Sequence, residues 1–120
     1  MVDRTDFGKH YLVDLKGCDP ETIKLIEPTR AILLRAVKDC GATLVNHHFH
    51  QYEPFGVSGV VLIAESHFSV HTWPEHRFVG VDIFTCGEMD AEVAIGGMRD
   101  GFQARESQVK VLVRGLLDRE

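Results

Sequence analysis

Thr43-Leu44-Val45-Asn46-His47-His48-Phe49-His50-Gln51, Val57-Ser58-Gly59-Val60-Val61-Leu62-Ile63-Ala64-Glu65, His67-Phe68-Ser69-Val70-His71 and Phe78-Val79-Gly80-Val81-Asp82-Ile83-Phe84-Thr85 follow one another with only short breaks, which carry Pro54, Gly56 and Pro74. Each run is rich in β-branched or aromatic residues, and turn formers punctuate them, so all four read as strands. Connections this short join antiparallel neighbours, because a parallel pair needs a crossover of a dozen or more residues. Upstream, His10 to Lys16 alternates Tyr11, Val13 and Leu15 with Leu12 and Asp14, which suits a fifth strand. Asp19-Pro20-Glu21 offers an N-cap followed by proline at the first helical position. That helix must be short, since Pro28 cannot sit in a helix interior; Pro28 instead starts a second one. Leu33, Ala36, Val37 and Cys40 then recur at helical spacing until Gly41 supplies the stop. Downstream, Ala91, Ala94, Ile95, Met98 and Phe102 mark a helix over Asp90 to Phe102, weakened at Gly96 and Gly97 by about 1 kcal/mol each. Gln108 to Arg114 is the last strand. The element order is roughly symmetrical about residue 66 and predicts an α+β two-layer sandwich, both helices lying on one face of an antiparallel sheet.

The chain's 120 residues, 44% of them hydrophobic and 26% charged, suit one compact domain spanning 1–120. Thirteen Lys+Arg against eighteen Asp+Glu give a net charge of −5, which offers no counter-charge to a phosphate backbone, so nucleic acid is not the expected partner. The longest apolar stretch, Val60 to Ala64, falls far short of the about 20 residues a bilayer span needs, and MVDRTDFGKH has no signal-like apolar region. No membrane partner is expected, and the default location is cytoplasmic. Cys18, Cys40 and Cys86 are odd in number and lack CxxC spacing, so the thiols are expected reduced, with Cys40 in the core.

The densest group of reactive side chains is Glu65-Ser66-His67-Phe68-Ser69-Val70-His71-Thr72-Trp73-Pro74-Glu75. Strand alternation puts Ser66, Phe68 and Val70 on one sheet face and His67, Ser69 and His71 on the other. Spacing alone therefore builds no Ser/His pair between Ser66 and His71. His48 and His50 share a face near His47, but no further ligands follow at recognisable spacing, so no metal site is expected. Nothing in the sequence fixes the separation of Asp82 and Glu88 as a carboxylate pair.

Gly56-Val57-Ser58-Gly59-Val60-Val61, Glu65-Ser66-His67, His71-Thr72-Trp73-Pro74-Glu75 and Asp82-Ile83-Phe84-Thr85-Cys86-Gly87 together resemble the signature of the small prokaryotic S-adenosylmethionine decarboxylases, which use a pyruvoyl group. Gly8-Lys9-His10 and Cys40-Gly41-Ala42-Thr43 also fit, so the resemblance runs over roughly residues 8 to 100. The C-terminus departs from it, since the chain stops soon after its last strand, where many members carry a longer tail.

The resemblance implies a proenzyme that cuts itself between Glu65 and Ser66 into chains 1–65 and 66–120. Ser66 becomes the pyruvoyl group that binds substrate as a Schiff base, an electron sink like that of PLP, and no metal is implied. His71 matches the proton acceptor of processing, a role that suits an imidazole. Cys86 matches the proton donor of catalysis, and a thiol is mostly protonated at neutral pH. Ser58 matches a serine that supports processing. The implied product is the aminopropyl donor for polyamine (spermidine) synthesis.

S-adenosylmethionine presents a flat adenine and a sulfonium, both suited to aromatic faces. Tyr52, Trp73 and Phe55 are the candidates, and Glu75 could bind ribose hydroxyls or the substrate ammonium. Arginine or ornithine as substrate, or an unprocessed regulatory relative, are the alternatives, since the processing motif dictates the cofactor and not the substrate. Helices on one sheet face leave the other to be covered, and Phe78 to Thr85 looks apolar enough on both sides to be buried twice. A homodimer is therefore expected, and the resemblance implies active sites near its interface.

Overall fold

The computed structural model describes residues 6–86 and 89–115, so Gly87 and Glu88 lie outside the described residues. Eight main elements follow in order: β1 (Gly8–Lys16), α1 (Ile26–Asp39), β2 (Leu44–Gln51), β3 (Val57–Ile63), β4 (Ser66–Trp73), β5 (Phe78–Thr85), α2 (Ala91–Gly101) and β6 (Glu106–Arg114). The six strands form one sheet in the order β2-β3-β4-β5-β1-β6. Every neighbouring pair is antiparallel. The expected α+β two-layer sandwich is thus the observed architecture.

Some bounds differ from the expectation. β3 ends at Ile63 rather than Glu65, and β4 runs from Ser66 to Trp73 rather than from His67 to His71. The reason is the tight turn Ala64–Glu65, which closes on the Ile63/Ser66 pair and takes both turn residues out of the ladder. Only a single 3-10 turn, Pro20–Thr22, follows Asp19, whose side chain accepts from the Glu21 N–H. Glu27 is extended (φ −96°, ψ 130°), so regular helix begins at Pro28, as proline's missing N–H dictates. At α2, Asp90 caps the Glu92 and Val93 N–H groups as an N-cap should.

The core lies between the helices and one sheet face. Phe68 and Val70 of β4, Val79, Val81 and Ile83 of β5, and Val13 and Leu15 of β1 meet Leu33, Ala94 and Met98 there, all essentially inaccessible. The alternate residues of these strands and of β3 form a second face that no described element covers. Val60, Leu62 and Trp73 on it are each more than two-fifths exposed. Between β4, β5, β1 and β6 this open face holds a hollow of about 620 Å³ floored by Gly80 and bordered by Asp14, Asp82 and Lys110.

Candidate active site

The β3–β4 turn carries one end of the site. Glu65 adopts φ +69°, a left-handed conformation that costs a non-glycine residue about 1–2 kcal/mol. Continuing the β4/β5 register beyond its last pair, His67/Phe84, brings Cys86 opposite Glu65. The contacts follow from that register. The Cys86 N–H donates to Ser66 Oγ (3.2 Å), and the Cys86 thiol donates to the Glu65 carbonyl oxygen (2.7 Å). Ser66 Oγ lies 4.0 Å from Cys86 Sγ. The bond expected to break is therefore strained on its acyl side, has a donor on its carbonyl, and has the adjacent hydroxyl oriented by a backbone N–H. Those are among the parts a serine-derived pyruvoyl group requires, and the residues present at this turn fit it.

The other two thiols lie apart from this turn. Burial pushes Cys18 up to about 11 and raises Cys40 as well, and their thiols donate to the backbone carbonyls of Leu15 (3.6 Å) and Val37 (3.2 Å). Cys86, by contrast, is only partly buried. Beside Ser66, on the helix side of the sheet, a hollow of about 280 Å³ is lined by Gly41, Ala42, Thr43, Thr85 and Met89. The Gly41 to Thr43 run thus borders the Ala64–Glu65 turn and Ser66, and the Thr43 carbonyl accepts from the Ala64 N–H (2.9 Å).

The other end of β4 carries the second group. Ser58 of β3 pairs directly with His71, and Ser58 Oγ lies 2.8 Å from His71 Nδ1. This pair opens into a hollow of about 320 Å³ lined by Tyr52, Phe55, Trp73 and Glu75. Every candidate substrate-binding residue is thus brought together, around the Ser58–His71 pair. The His50 ring supports Tyr52 edge-on, with centroids 4.7 Å apart.

The two groups do not meet. At about 3.3 Å per residue, the five steps from Ser66 to His71 span about 16 Å, and alternation turns their side chains to opposite faces. The β4 ladder pairs continuously with β3 and β5, so no bulge shortens the gap. Among the described residues no group of three His, Cys, Asp or Glu side chains could hold a metal ion. Nor is any described helix long and apolar enough to cross a membrane.

A family model described as S-adenosylmethionine decarboxylase matches residues 9–115. The S-adenosylmethionine decarboxylase proenzyme of Thermodesulfovibrio yellowstonii is 43% identical over 111 residues, 92% of this chain and 82% of that protein. The proenzyme of the same name from Pyrococcus furiosus is 44% identical over 91% of this chain and 79% of its own length. The crystal structure of the adenosylmethionine decarboxylase from Aquifex aeolicus superposes with a TM-score of 0.87 at 37% identity, covering 98% of both chains. A family match over most of the chain coincides with a serine, a thiol and a strained peptide gathered at one turn, and on these grounds the chain belongs to the S-adenosylmethionine decarboxylase family.

Proposed function

We propose that this chain is the proenzyme of a pyruvoyl-dependent S-adenosylmethionine decarboxylase, which cuts itself at Glu65–Ser66 and then removes the substrate carboxylate to make an aminopropyl donor for polyamine synthesis. The observation that carries this reading is the Glu65–Ser66–Cys86 arrangement at the β3–β4 turn. Ser66 Oγ attacks the Glu65 carbonyl carbon, the Cys86 thiol steadies the oxygen as it gains charge, and the peptide C–N bond breaks to leave an ester. Loss of the Ser66 α-proton then expels the Glu65 carboxylate. The dehydroalanine left behind takes up water, releases ammonia, and ends as the pyruvoyl group.

Once formed, that group supplies the electron sink for decarboxylation. The chain's own residues do the rest. Cys86, in contact with Ser66, delivers a proton to the α-carbon of the product. Tyr52 and Trp73 offer faces to adenine and sulfonium, and Glu75 offers a carboxylate to ribose hydroxyls or the ammonium.

The proton acceptor for the Ser66 α-proton is His71 in this reading. In the tautomer that donates Nδ1–H to Ser58 Oγ, Nε2 carries the free lone pair this role needs. A span of about 16 Å keeps it from Ser66 of its own chain, so a second copy supplies it. In a two-fold homodimer, the Ser58–His71 end of one copy meets the Ser66–Cys86 end of the other, and symmetry makes two such composite sites. Burial of Val60, Leu62 and Trp73 on the open sheet face would contribute to that association.

Two results test the assignments. Cys86→Ala keeps the backbone N–H on Ser66 Oγ, so self-cleavage continues at a reduced rate while decarboxylation falls at least about 100-fold, the low end for loss of a positioned proton donor. Carbon dioxide release at the unaltered rate by cleaved Cys86→Ala enzyme would remove Cys86 from the mechanism. For the substrate site, Tyr52→Ala and Trp73→Ala each raise KM for S-adenosylmethionine, with binding losses of about 1–3 kcal/mol, as expected for losing a base-stacking side chain. Unchanged KM values in steady-state assays would place the adenine elsewhere.

A further inference from the structure

Gln51 is the last residue of β2, and pairing with Val57 turns its side chain to the helix side of the sheet, away from the Ser58–His71 pair. Its amide is nonetheless the most connected polar group near the aromatic loop 52–56. Oε1 accepts from the Ile26 N–H (2.8 Å), while the two hydrogens of Nε2 are shared among the carbonyls of Lys24 (2.9 Å), Gly56 (3.1 Å) and Tyr52 (3.2 Å). The loop closes on itself through the Tyr52 N–H on the Gly56 carbonyl (2.8 Å), and the Gly56 N–H reaches the same Lys24 carbonyl (2.9 Å). Gly56 sits at φ +119°, where an L side chain is strained. On the far side, Thr72 Oγ1 donates to the Ile23 carbonyl (2.8 Å) and accepts from the Val57 N–H (2.9 Å).

Four of these bonds end on residues 23–26, the segment that precedes the helical start at Pro28. Because Leu25 and Glu27 are extended, α1 does not consume these backbone groups, and they are available to hold the loop. Phe55 joins the same anchor, with Lys24 Nζ over its ring at 5.1 Å.

We infer that Gln51 is a positioning residue for substrate binding: its amide ties the Tyr52–Phe55 loop to residues 23–26 and so fixes the aromatic wall of the substrate hollow. The inference rests on the reading of Tyr52 as part of the substrate site. It separates two properties that depend on the same hollow. The Ser58–His71 pair is set by the β3–β4 ladder and stays in place without the amide, so self-cleavage is spared; the loop is released, so S-adenosylmethionine binds less well.

The test compares Gln51→Met, which keeps the length and loses every hydrogen bond, with Gln51→Glu, which keeps the acceptor for Ile26 and loses the donors. Thr29→Val serves as a stability control, because Thr29 is fully buried and donates to the Thr22 carbonyl (3.0 Å) outside the site. Both Gln51 variants should raise KM for S-adenosylmethionine about tenfold, the effect of displacing one stacking aromatic. Their kcat and rate of self-cleavage, followed by denaturing mass spectrometry, should stay within about twofold of the unaltered protein. Thr29→Val should lower the Tm and leave KM where it was. An unchanged KM in folded Gln51→Met, or KM, kcat and self-cleavage deteriorating together, overturns the inference, as does failure of both variants to fold. Tyr52→Ala, assayed alongside, separates the failures. If it raises KM while the Gln51 variants do not, only the role of Gln51 falls; if it leaves KM unchanged, the substrate site itself has been misplaced.

Discussion

Ser66→Ala should remain a single 120-residue chain with no decarboxylase activity, whereas the unaltered protein should separate under denaturing conditions into residues 1–65 and 66–120. The C-terminal fragment should resist Edman degradation, because a pyruvoyl group has no amine. Alanine removes only Oγ. That atom is the nucleophile, so no ester forms and the Glu65–Ser66 peptide keeps its ordinary hydrolytic lifetime. The fold should survive, since Ser66 is partly exposed at a turn and water can replace it as acceptor for the Cys86 N–H. Loss of activity in Ser66→Ala is thus expected to be complete while its thermal unfolding stays close to that of the uncut protein. An unaltered protein that stayed one chain after prolonged incubation at its working temperature would sink the proposal.

The fold was legible because its signals are local. Alternation in four closely spaced runs, with prolines and glycines in the breaks, marks antiparallel strands, and Asp19-Pro20, Pro28 and Asp90 mark helix starts. The strand order was not legible. β1 lies between β5 and β6, and that choice depends on which half-buried faces match across long sequence separations, which periodicity does not encode. The site divides along the same line. Alternation alone placed Ser66 and His71 on opposite faces, and the sheet keeps them so. The pairing of Ser58 with His71, and of Cys86 with the Glu65–Ser66 turn, needed interstrand register, so those residues entered through the resemblance rather than through spacing. Gln51 gave no signal, since a glutamine at a strand end ordinarily faces water. Its role arises from backbone groups that an extended segment before Pro28 leaves unused, and only the proline hints at that from sequence. Glu88 as a partner for Asp82 lies outside the described residues.

Mixing two inactive variants should restore self-cleavage if the site is composite. His71→Ala retains the nucleophile and lacks the proton acceptor, so alone it should stall as intact chain or ester. Ser66→Ala retains His71 and lacks the nucleophile. In a heterodimer formed from the two, one site combines Ser66 of the His71→Ala chain with His71 of the Ser66→Ala chain and is complete; the other lacks both groups. Subunits exchanged at random give about half heterodimers by simple statistics of two-fold assembly, so about half of the His71→Ala chains should be cut and none of the Ser66→Ala chains. The asymmetry is the discriminating feature, because a site contained within one chain predicts no cutting of either variant in the mixture. Denaturing mass spectrometry resolves the two chains by mass and reads the outcome directly. The physical reason for expecting rescue is the about 16 Å that β4 puts between Ser66 and His71, a separation no side-chain rotation bridges within one rigid strand. A mixture in which both chains stay intact, although sedimentation shows exchanged dimers, would return His71 to its own chain and require β4 to refold before cleavage.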